Sequence, residues 1–192
     1  MLNQNQALEL FRKSGALLEG HFLLTSGRHS DRYVQCAQVL KFPEYTSLLC
    51  ERIAAGFQGE QIDLVVGPAM GGILVAYETA RHLKVPNLFT ERENGSMTLR
   101  RGFAIQPGEK VLVVEDVVTT GGSVVEVIDL VKAKGAEVVG VGVLVDRSGG
   151  KVNFGVRKEA VITMEVPSWD PGNCPLCQGG SIAVKPGSRG LK

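Results

Sequence analysis

One segment gives the clearest indication of the fold: Val111-Leu112-Val113-Val114-Glu115-Asp116-Val117-Val118-Thr119-Thr120-Gly121-Gly122-Ser123. Its four leading apolar residues predict a strand that is buried on both faces, and two adjacent carboxylates stand at the predicted end of that strand. The hydroxyl and glycine residues after them lead into apolar residues at helical spacing, which predict a helix. A buried strand, a tight bend and a helix form the repeating unit of an α/β fold.

A second unit of this kind precedes the first. Residues 63–66 predict a short buried strand, residues 67–72 read Gly-Pro-Ala-Met-Gly-Gly, and a helical pattern follows. Because parallel strands are joined by right-handed crossovers, two such units predict a mostly parallel central sheet with helices on both faces. Ligands of such sheets bind beyond the carboxyl ends of the strands. Further patterns predict helices at residues 3–13 and 43–59, and strands at residues 17–24, 32–37, 85–90, 102–106, 137–145 and 160–164.

Composition excludes several classes of partner. The 192 residues are 44% hydrophobic with a formal net charge of +1, so there is no electrostatic reason to expect nucleic acid or a membrane surface. No apolar run approaches the roughly 18 residues of a membrane span, and the polar N-terminus is unlike a signal peptide. Cys36 and Cys50 have apolar neighbours, which favours buried free thiols. We therefore expect a cytoplasmic protein.

The bend at residues 119–123 has the chemistry of a phosphate site. Glycines let the backbone curl round an anion, and unbonded N–H groups at the start of a helix point towards it. Glu115 and Asp116 would repel a phosphate alone, but they can accept hydrogen bonds from the two hydroxyls of a ribose 5-phosphate. The Gly-Lys-Ser/Thr ending of a P-loop and the Gly-x-Gly-x-x-Gly pattern are both absent. An ordinary βα turn with a good N-cap is the alternative interpretation.

Residues 111–123 resemble the signature with which type I phosphoribosyltransferases bind phosphoribosyl pyrophosphate (PRPP). The resemblance extends over residues 14–150 and is greatest to the orotate enzymes of that family. It implies the type I phosphoribosyltransferase fold, with an N-terminal hood and a flexible catalytic loop. We accordingly expect an N-terminal helix and hood segment at 1–40, a PRPP-binding α/β core at 41–166 and an irregular tail at 167–192.

The resemblance also implies which residues bind PRPP. The two acids are expected at the ribose hydroxyls, the bend at the 5-phosphate, and residues 67–72 at the pyrophosphate, where the family often has a non-proline cis peptide. The implied set is Glu115, Asp116, Val117, Val118, Thr119, Thr120, Gly121, Gly122, Ser123, Ala69, Met70, Gly71 and Gly72. Mg²⁺ is expected to bind mainly through PRPP, with no certain protein ligand.

Arg147 follows the strand predicted at residues 137–145, and in the orotate enzymes an arginine at this place holds the acceptor. The fork of a guanidinium matches the carboxylate of orotate. The resemblance thus implies that Arg147, Tyr33 and Thr119 bind orotate, which would yield orotidine 5′-phosphate and pyrophosphate in pyrimidine (UMP) biosynthesis. Thr25 stands where some members have a lysine. A purine-type phosphoribosyltransferase and a non-catalytic PRPP-sensing regulator are the alternatives.

Residues 91–101 match the flexible catalytic loop, which in this family closes over the active site of the neighbouring subunit of a homodimer. Arg92 fits the expected arginine and would act in catalysis with Glu115 and Asp116. Glu93 and Ser96 stand where well-known members have lysines, so it is open whether Arg100 or Arg101 substitutes for them. A hairpin tip with no catalytic part is the alternative.

Cys174-Pro175-Leu176-Cys177 is a lone Cys-x-x-Cys motif. One pair does not complete a four-ligand zinc site, and neither a histidine nor a second pair lies near it in the sequence. A site shared across a dimer, a redox pair and two idle thiols stay open, and we expect no essential catalytic role. His21 and His29 are expected to be hydrogen-bonded turn residues.

Overall fold

The computed structural model describes residues 2–24 and 26–186. Its helices are α1 (Gln4–Lys13), α2 (Ala37–Leu40), α3 (Pro43–Gly56), α4 (Gly71–Leu83), α5 (Gly122–Ala133) and α6 (Pro175–Gln178), with a 3₁₀ turn at Pro171–Asn173. Its strands are β1 (Leu17–Leu23), β2 (His29–Val34), β3 (Leu64–Pro68), β4 (Asn87–Glu93), β5 (Ser96–Leu99), β6 (Lys110–Val118), β7 (Glu137–Asp146) and β8 (Arg157–Thr163).

Six strands form the central sheet in the order β5-β4-β3-β6-β7-β8. The pairs from β4 to β8 are parallel, whereas β5 runs antiparallel to β4. Alternate residues of β6 are buried on opposite faces, because Val111 and Val113 pack with α5 while Leu112 and Val114 pack with α3 and α4. The prediction of a mostly parallel sheet covered on both faces is confirmed.

The edge of the sheet beside β4 differs from the prediction. Residues 102–106 do not form a strand; β5 takes that place, and β4 continues to Glu93. The physical reason is the Asn94-Gly95 pair, whose φ angles of 50° and 88° suit a two-residue hairpin turn. The segment expected to be a polar loop is therefore a β-hairpin. The short helix α2 was not predicted, and β2 begins three residues earlier than expected.

The hood is the antiparallel hairpin of β1 and β2, which forms a sheet of its own. The tail packs against this hood hairpin, since Phe22 pairs with Val184 and His29 with Trp169. Ser30 Oγ donates a hydrogen bond of 2.8 Å to the carbonyl of Pro167. The tail was predicted to be irregular, but it contains the 3₁₀ turn at Pro171–Asn173 and the short helix α6. Among the described residues, no helix combines the length and apolar character that a membrane crossing requires.

Candidate active site

The start of α4 meets the acid pair of β6 near the carboxyl end of the sheet. A Cβ atom placed on Gly71 would lie 2.1 Å from Asp116 Oδ2, and one placed on Gly72 would lie 3.3 Å from Glu115 Oε1. Such a contact at position 71 is far inside van der Waals distance, so the acids can approach this backbone only because residue 71 is glycine. The two segments singled out in the sequence therefore form one site.

The loop between β3 and α4 has the backbone geometry expected of it. The peptide bond between Ala69 and Met70 is cis, which confirms the prediction for this segment. The Ala69 N–H donates to the carbonyl of Thr90 on β4 at 2.8 Å, and the side chain of Met70 is 83% exposed. The loop is thus anchored to the sheet on one side and open to solvent on the other.

Glu115 and Asp116 lie inside β6, not at its end, because the strand continues to Val118. The backbone N–H of Asp116 donates to Glu115 Oε1 at 3.0 Å. Burial and the adjacent Asp116 raise the pKa of Glu115 to about 9, and burial also raises the pKa of Asp116. Two carboxylates in a desolvated site resist joint ionisation, so hydroxyl donors or a cation would stabilise their charged forms.

The bend at residues 119–123 leads from β6 into α5. Gly121 caps the helix with a φ of 81°, and a Cβ there would lie 2.7 Å from Phe154 Cε1, so only glycine fits. No side chain in the described structure caps α5, and the first N–H groups of a helix have no partner within it. These groups face a cavity of about 270 Å³ lined by residues 117–124 with Arg92, Glu115 and Glu126. This cavity suits an anion.

Arg92 reaches the same cavity from β4. Its guanidinium donates to both carboxylate oxygens of Glu126 on α5, at 3.0 and 2.8 Å. Arg101 is paired with Glu91 at 2.9 Å and Arg100 with Glu93 at 3.5 Å, and neither lines the cavity. Arg92 is therefore the arginine of the hairpin that lies at the phosphate bend. Sequence reasoning missed Glu126, because an exposed helical glutamate carries no local sign of its partner.

A rigid turn follows β7. Asp146 is fully buried and accepts hydrogen bonds from Ser148 N at 2.8 Å, Ser148 Oγ at 2.6 Å and Lys158 Nζ at 2.5 Å. Burial opposes ionisation of Asp146, but Lys158 and Ser148 outweigh it and lower the pKa. The next residue, Arg147, donates its backbone N–H to the carbonyl of Val118 at 2.8 Å. The end of β7 is thereby fixed beside the phosphate bend.

The side chain of Arg147 turns into the protein. Within the described residues its Nε is buried without a hydrogen-bond partner, and burial lowers the pKa of the guanidinium, opposed by Cys36 and Tyr33. Cys36 is buried and free as predicted, and its thiol donates to the carbonyl of Asp116 at 3.5 Å. A buried guanidinium N–H without an acceptor is unfavourable. Tyr33 and Cys36 thus lie near the Arg147 guanidinium, and Cys36 in turn contacts Asp116. Thr25 lies outside the described residues.

The expectation that no histidine accompanies the Cys-x-x-Cys motif is wrong in three dimensions. His21 and His29 of the hood hairpin meet Cys174 and Cys177 of the tail, with His21 Nε2 3.5 Å from Cys174 Sγ. More than a hundred residues separate the two pairs along the chain, so sequence spacing gave no sign of the contact. The two histidines are hydrogen-bonded to each other at 2.9 Å, but they lie in β1 and β2 and not in the turn where they were predicted.

Comparisons with known proteins agree with this geometry. The profile of the phosphoribosyl transferase domain family matches residues 44–170. The chain is 64% identical over 188 residues to the orotate phosphoribosyltransferase of Desulforamulus reducens, covering 98% of each protein. It is 59% identical over 184 residues to the orotate phosphoribosyltransferase of Thermotoga maritima, covering 96% of this chain and 98% of the relative.

Solved structures resemble it as well. The orotate phosphoribosyltransferase of Aeropyrum pernix is 30% identical with a TM-score of 0.66, over 81% of this chain and 92% of that one. The Mycobacterium tuberculosis enzyme in complex with inorganic phosphate is 25% identical with a TM-score of 0.69, over 84% and 95%. With near full-length relatives of this identity and a shared fold, the chain belongs to the phosphoribosyl transferase family and, within it, to the orotate phosphoribosyltransferases.

Proposed function

We propose that this protein transfers the 5-phosphoribosyl group of PRPP to orotate, which yields orotidine 5′-phosphate and pyrophosphate for pyrimidine nucleotide synthesis. The observation that carries the proposal is the convergence of the acid pair, the uncapped phosphate bend and the unpartnered Arg147 Nε at one edge of the sheet. The full-length relatives named orotate phosphoribosyltransferase support it.

The donor would bind along the acids and the bend. Residues 119–123 offer helix N–H groups and hydroxyls to the 5-phosphate, while Glu115 and Asp116 accept hydrogen bonds from the ribose hydroxyls. The raised pKa values of this pair support such an arrangement, because hydroxyl donors stabilise the ionised carboxylates. The pyrophosphate would lie against the backbone of Gly71 and Gly72, which the absence of side chains leaves open.

The acceptor would bind at Arg147. Its guanidinium can donate to the orotate carboxylate, which satisfies the buried Nε and restores full charge stabilisation to the arginine. Tyr33 on the hood hairpin and Thr119 at the bend border the same space and would orient the ring. A purine carries no carboxylate, so it would leave Arg147 without an acceptor.

The reaction needs no protein nucleophile. The bond between ribose C1 and the pyrophosphate oxygen breaks, and its electron pair leaves with pyrophosphate. The ring nitrogen of orotate forms the new bond to C1 from the opposite face and releases its proton to solvent. Asp116 stabilises the positive charge that develops on the sugar. Arg92 would exchange Glu126 for the leaving pyrophosphate as that group gains charge.

The carboxylate pair also fits a nearby cation, because burial and the adjacent Asp116 raise the pKa of Glu115. Mg²⁺, when bound mainly through PRPP, would neutralise the leaving pyrophosphate. We further propose a homodimer in which the tip of the β4–β5 hairpin, beyond Arg92, reaches the neighbouring active site, while Arg92 stays at its own phosphate bend. A cytoplasmic location, without nucleic acid or membrane partners, completes the proposal.

The decisive assay supplies PRPP, Mg²⁺ and single free bases (orotate, uracil, adenine, guanine and hypoxanthine) and measures pyrophosphate release. We expect release with orotate alone. Release with a purine would contradict the proposal, and so would the absence of release with every base in the panel.

Variants of two arginines sharpen the assay. Arg147→Ala should raise the KM for orotate by at least about 10-fold, since it removes a charge-assisted contact worth roughly 1.5–3 kcal/mol, while the KM for PRPP changes less. Arg157→Ala is the matched control, because Arg157 lies on β8 and pairs with Glu159 at the surface. Equal KM values for orotate in both variants would count against the acceptor site.

A further inference from the structure

The hood–tail junction, formed by His21, His29, Cys174 and Cys177, gathers four groups that commonly bind metals. One ligand atom from each residue lies within 4.8 Å of all the others. His21, His29 and Cys174 are buried, and Cys177 is partly buried. Both cysteines are free thiols in the structure. Two thiols and two imidazoles thus share one small space away from the acids and the phosphate bend.

The distances in the junction are close to those of a tetrahedral site. His21 Nε2 lies 2.9 Å from His29 Nδ1, 3.5 Å from Cys174 Sγ and 3.8 Å from Cys177 Sγ, and His29 Nδ1 lies 3.3 Å from Cys177 Sγ. Zinc bound tetrahedrally at about 2.0–2.1 Å from nitrogen and about 2.3 Å from sulfur spaces its ligand atoms roughly 3.3–3.8 Å apart. All four atoms lie within 4.8 Å of one another, so a single ion would fit between them after shifts of about 1 Å or less.

His21 has the second contact that a metal-bound histidine requires. Its Nδ1 lies 3.1 Å from the carbonyl of Ser181 and 3.1 Å from Ser181 Oγ. If Nδ1 carries the proton and donates it to the carbonyl, Nε2 presents its lone pair to the junction. Metal-ligating histidines are held in one tautomer by such a hydrogen bond.

Local structure explains how each pair is held. Cys174 and Cys177 are three residues apart at the start of α6, so both thiols point to one side of a single helical turn. The hairpin register pairs Leu23 with His29, which brings His21 and His29 together with ring centroids 4.8 Å apart. Each half of the junction therefore presents two ligands, and the folded chain joins the halves.

We propose that the hood–tail junction binds one structural Zn²⁺ ion through His21 Nε2, His29 Nδ1, Cys174 Sγ and Cys177 Sγ. Binding displaces the two thiol protons to solvent, and the imidazoles bind in their neutral forms, so the four-coordinate site has no net charge and involves no redox step. Thiolate and imidazole ligands in a tetrahedron select zinc over Mg²⁺, which prefers oxygen. All four positions are filled by protein, which is typical of a structural site.

The ion would fasten the tail to the hood. A two-stranded hairpin is at best marginally stable by itself, and the described tail holds β1 and β2 through two isolated bridges and a few hydrogen bonds, such as that from Ser30 to Pro167. Tyr33 lies on β2 near Arg147, so the ion would stabilise a strand beside the proposed acceptor arginine without touching a substrate. This inference does not depend on the identity of the acceptor.

The first test is metal analysis of the full-length protein, purified with reductant, without a polyhistidine tag and without chelator. We expect about one zinc per chain by inductively coupled plasma mass spectrometry, as a closed structural site predicts. Co²⁺ loaded into the chelator-treated protein should show the intense visible bands of a tetrahedral thiolate site. Zinc well below stoichiometry, together with no uptake of Zn²⁺ or Co²⁺ by the reduced protein, would overturn the proposal.

Variants assign the ligands. Cys177→Ser and His21→Gln each remove one ligand, and each should lower zinc affinity at least about 10-fold in competition with a chromophoric chelator. Cys50→Ala and His82→Gln are the matched controls, because these residues lie in α3 and α4, outside the junction, and they should retain the metal. Unchanged zinc affinity in both junction variants would contradict the ligand assignment.

The wild-type protein keeps the proposal testable if a junction variant fails to fold. Intact mass under non-reducing conditions separates two free thiols from a disulfide, which is two hydrogens lighter. A Cys174–Cys177 disulfide in the purified protein, together with no Zn²⁺ binding once it is reduced to two thiols, would overturn the inference. Chelator treatment of the native protein should lower its Tm by several degrees, and added Zn²⁺ should restore it; a Tm indifferent to both would be evidence against a structural ion.

Discussion

The phosphate bend and the hood–tail junction are both small clusters of polar side chains, but they are built in opposite ways. The bend and its acids come from residues 115–123, so nine consecutive positions supply the chemistry. The junction takes its groups from residues 21, 29, 174 and 177, which only the fold brings together. A site made of neighbours in sequence can be recognised as a pattern, whereas a site made of distant residues becomes visible only in three dimensions.

The two regions also differ in what they do. The bend places charged groups where a ligand would meet them, at the open edge of the sheet. The junction encloses its groups and connects two segments of the chain. Substitutions in the bend should therefore change turnover more than stability, and substitutions in the junction should do the reverse.

Asp116→Asn separates the two regions most strongly. We expect kcat to fall by about 10²–10³-fold, because the variant removes the charge that stabilises the cationic sugar. The Tm should not fall, since one of two repelling buried carboxylates becomes neutral. Steady-state kinetics and thermal unfolding measure both effects. Asp129→Asn on the exposed face of α5 is the control, and an unchanged kcat in Asp116→Asn would refute the role of this residue.

Gly71→Ala tests whether the start of α4 must approach the acid pair of β6 this closely. A Cβ at position 71 would lie 2.1 Å from Asp116 Oδ2, so the acid or the loop has to move. We expect the KM for PRPP to rise by at least about 10-fold, which corresponds to roughly 1.4 kcal/mol. Gly172→Ala in the tail makes the same change where a Cβ would meet no atom within 4 Å, and it should leave the KM unchanged. Equal KM values for PRPP in the two variants would show that PRPP binding does not depend on the close contact between Gly71 and Asp116.

The pH dependence of stability reports on the acid pair. Because burial and Asp116 raise the pKa of Glu115 from 4.5 to about 9, the ligand-free folded protein keeps a proton that the unfolded chain loses. Stability should therefore fall as the pH rises through this window, and Glu115→Gln should remove that loss. The variant should unfold at a higher Tm than wild type near pH 8.5, with a smaller difference near pH 5. Glu51→Gln is the surface control, and a Tm difference independent of pH would contradict the raised pKa.

Arg28→Ala should have the smallest effect. Arg28 precedes β2 and contacts the tail beside the hood–tail junction. The guanidinium donates to Ser168 Oγ at 3.0 Å, to the Ser168 carbonyl at 2.6 Å and to Asp170 at 2.8 Å, but its side chain is 40% exposed. We expect a loss of about 1 kcal/mol, or roughly 2–4 °C in Tm, with kcat unchanged. Arg12→Ala, which removes an exposed pair within α1, should shift the Tm less. A large loss of kcat would show that the hood–tail contact serves catalysis.

Most of the fold could be predicted because its elements carry local signals. The apolar run of β6 and the helical spacing of α5 both appear where they were expected, and so does the cis peptide at Ala69. The errors lie where short polar segments depend on their partners. The strand beside β4 was expected at residues 102–106 but lies at Ser96–Leu99, and the tail was expected to be irregular. Neither β5 nor the tail buries a periodic apolar face that would reveal its structure in the sequence.

Contiguous residues account for the strand, the acid pair, the bend and the helix, because local backbone and burial preferences impose that geometry. Packing across the sheet and the hood, by contrast, pairs Arg92 with Glu126 and brings two histidines to two cysteines. It also turns Arg147 inward, where no described residue accepts from its Nε. Each of these contacts joins residues that are far apart in the chain. Their distances depend on the packing of the whole sheet and its helices, which no local pattern specifies.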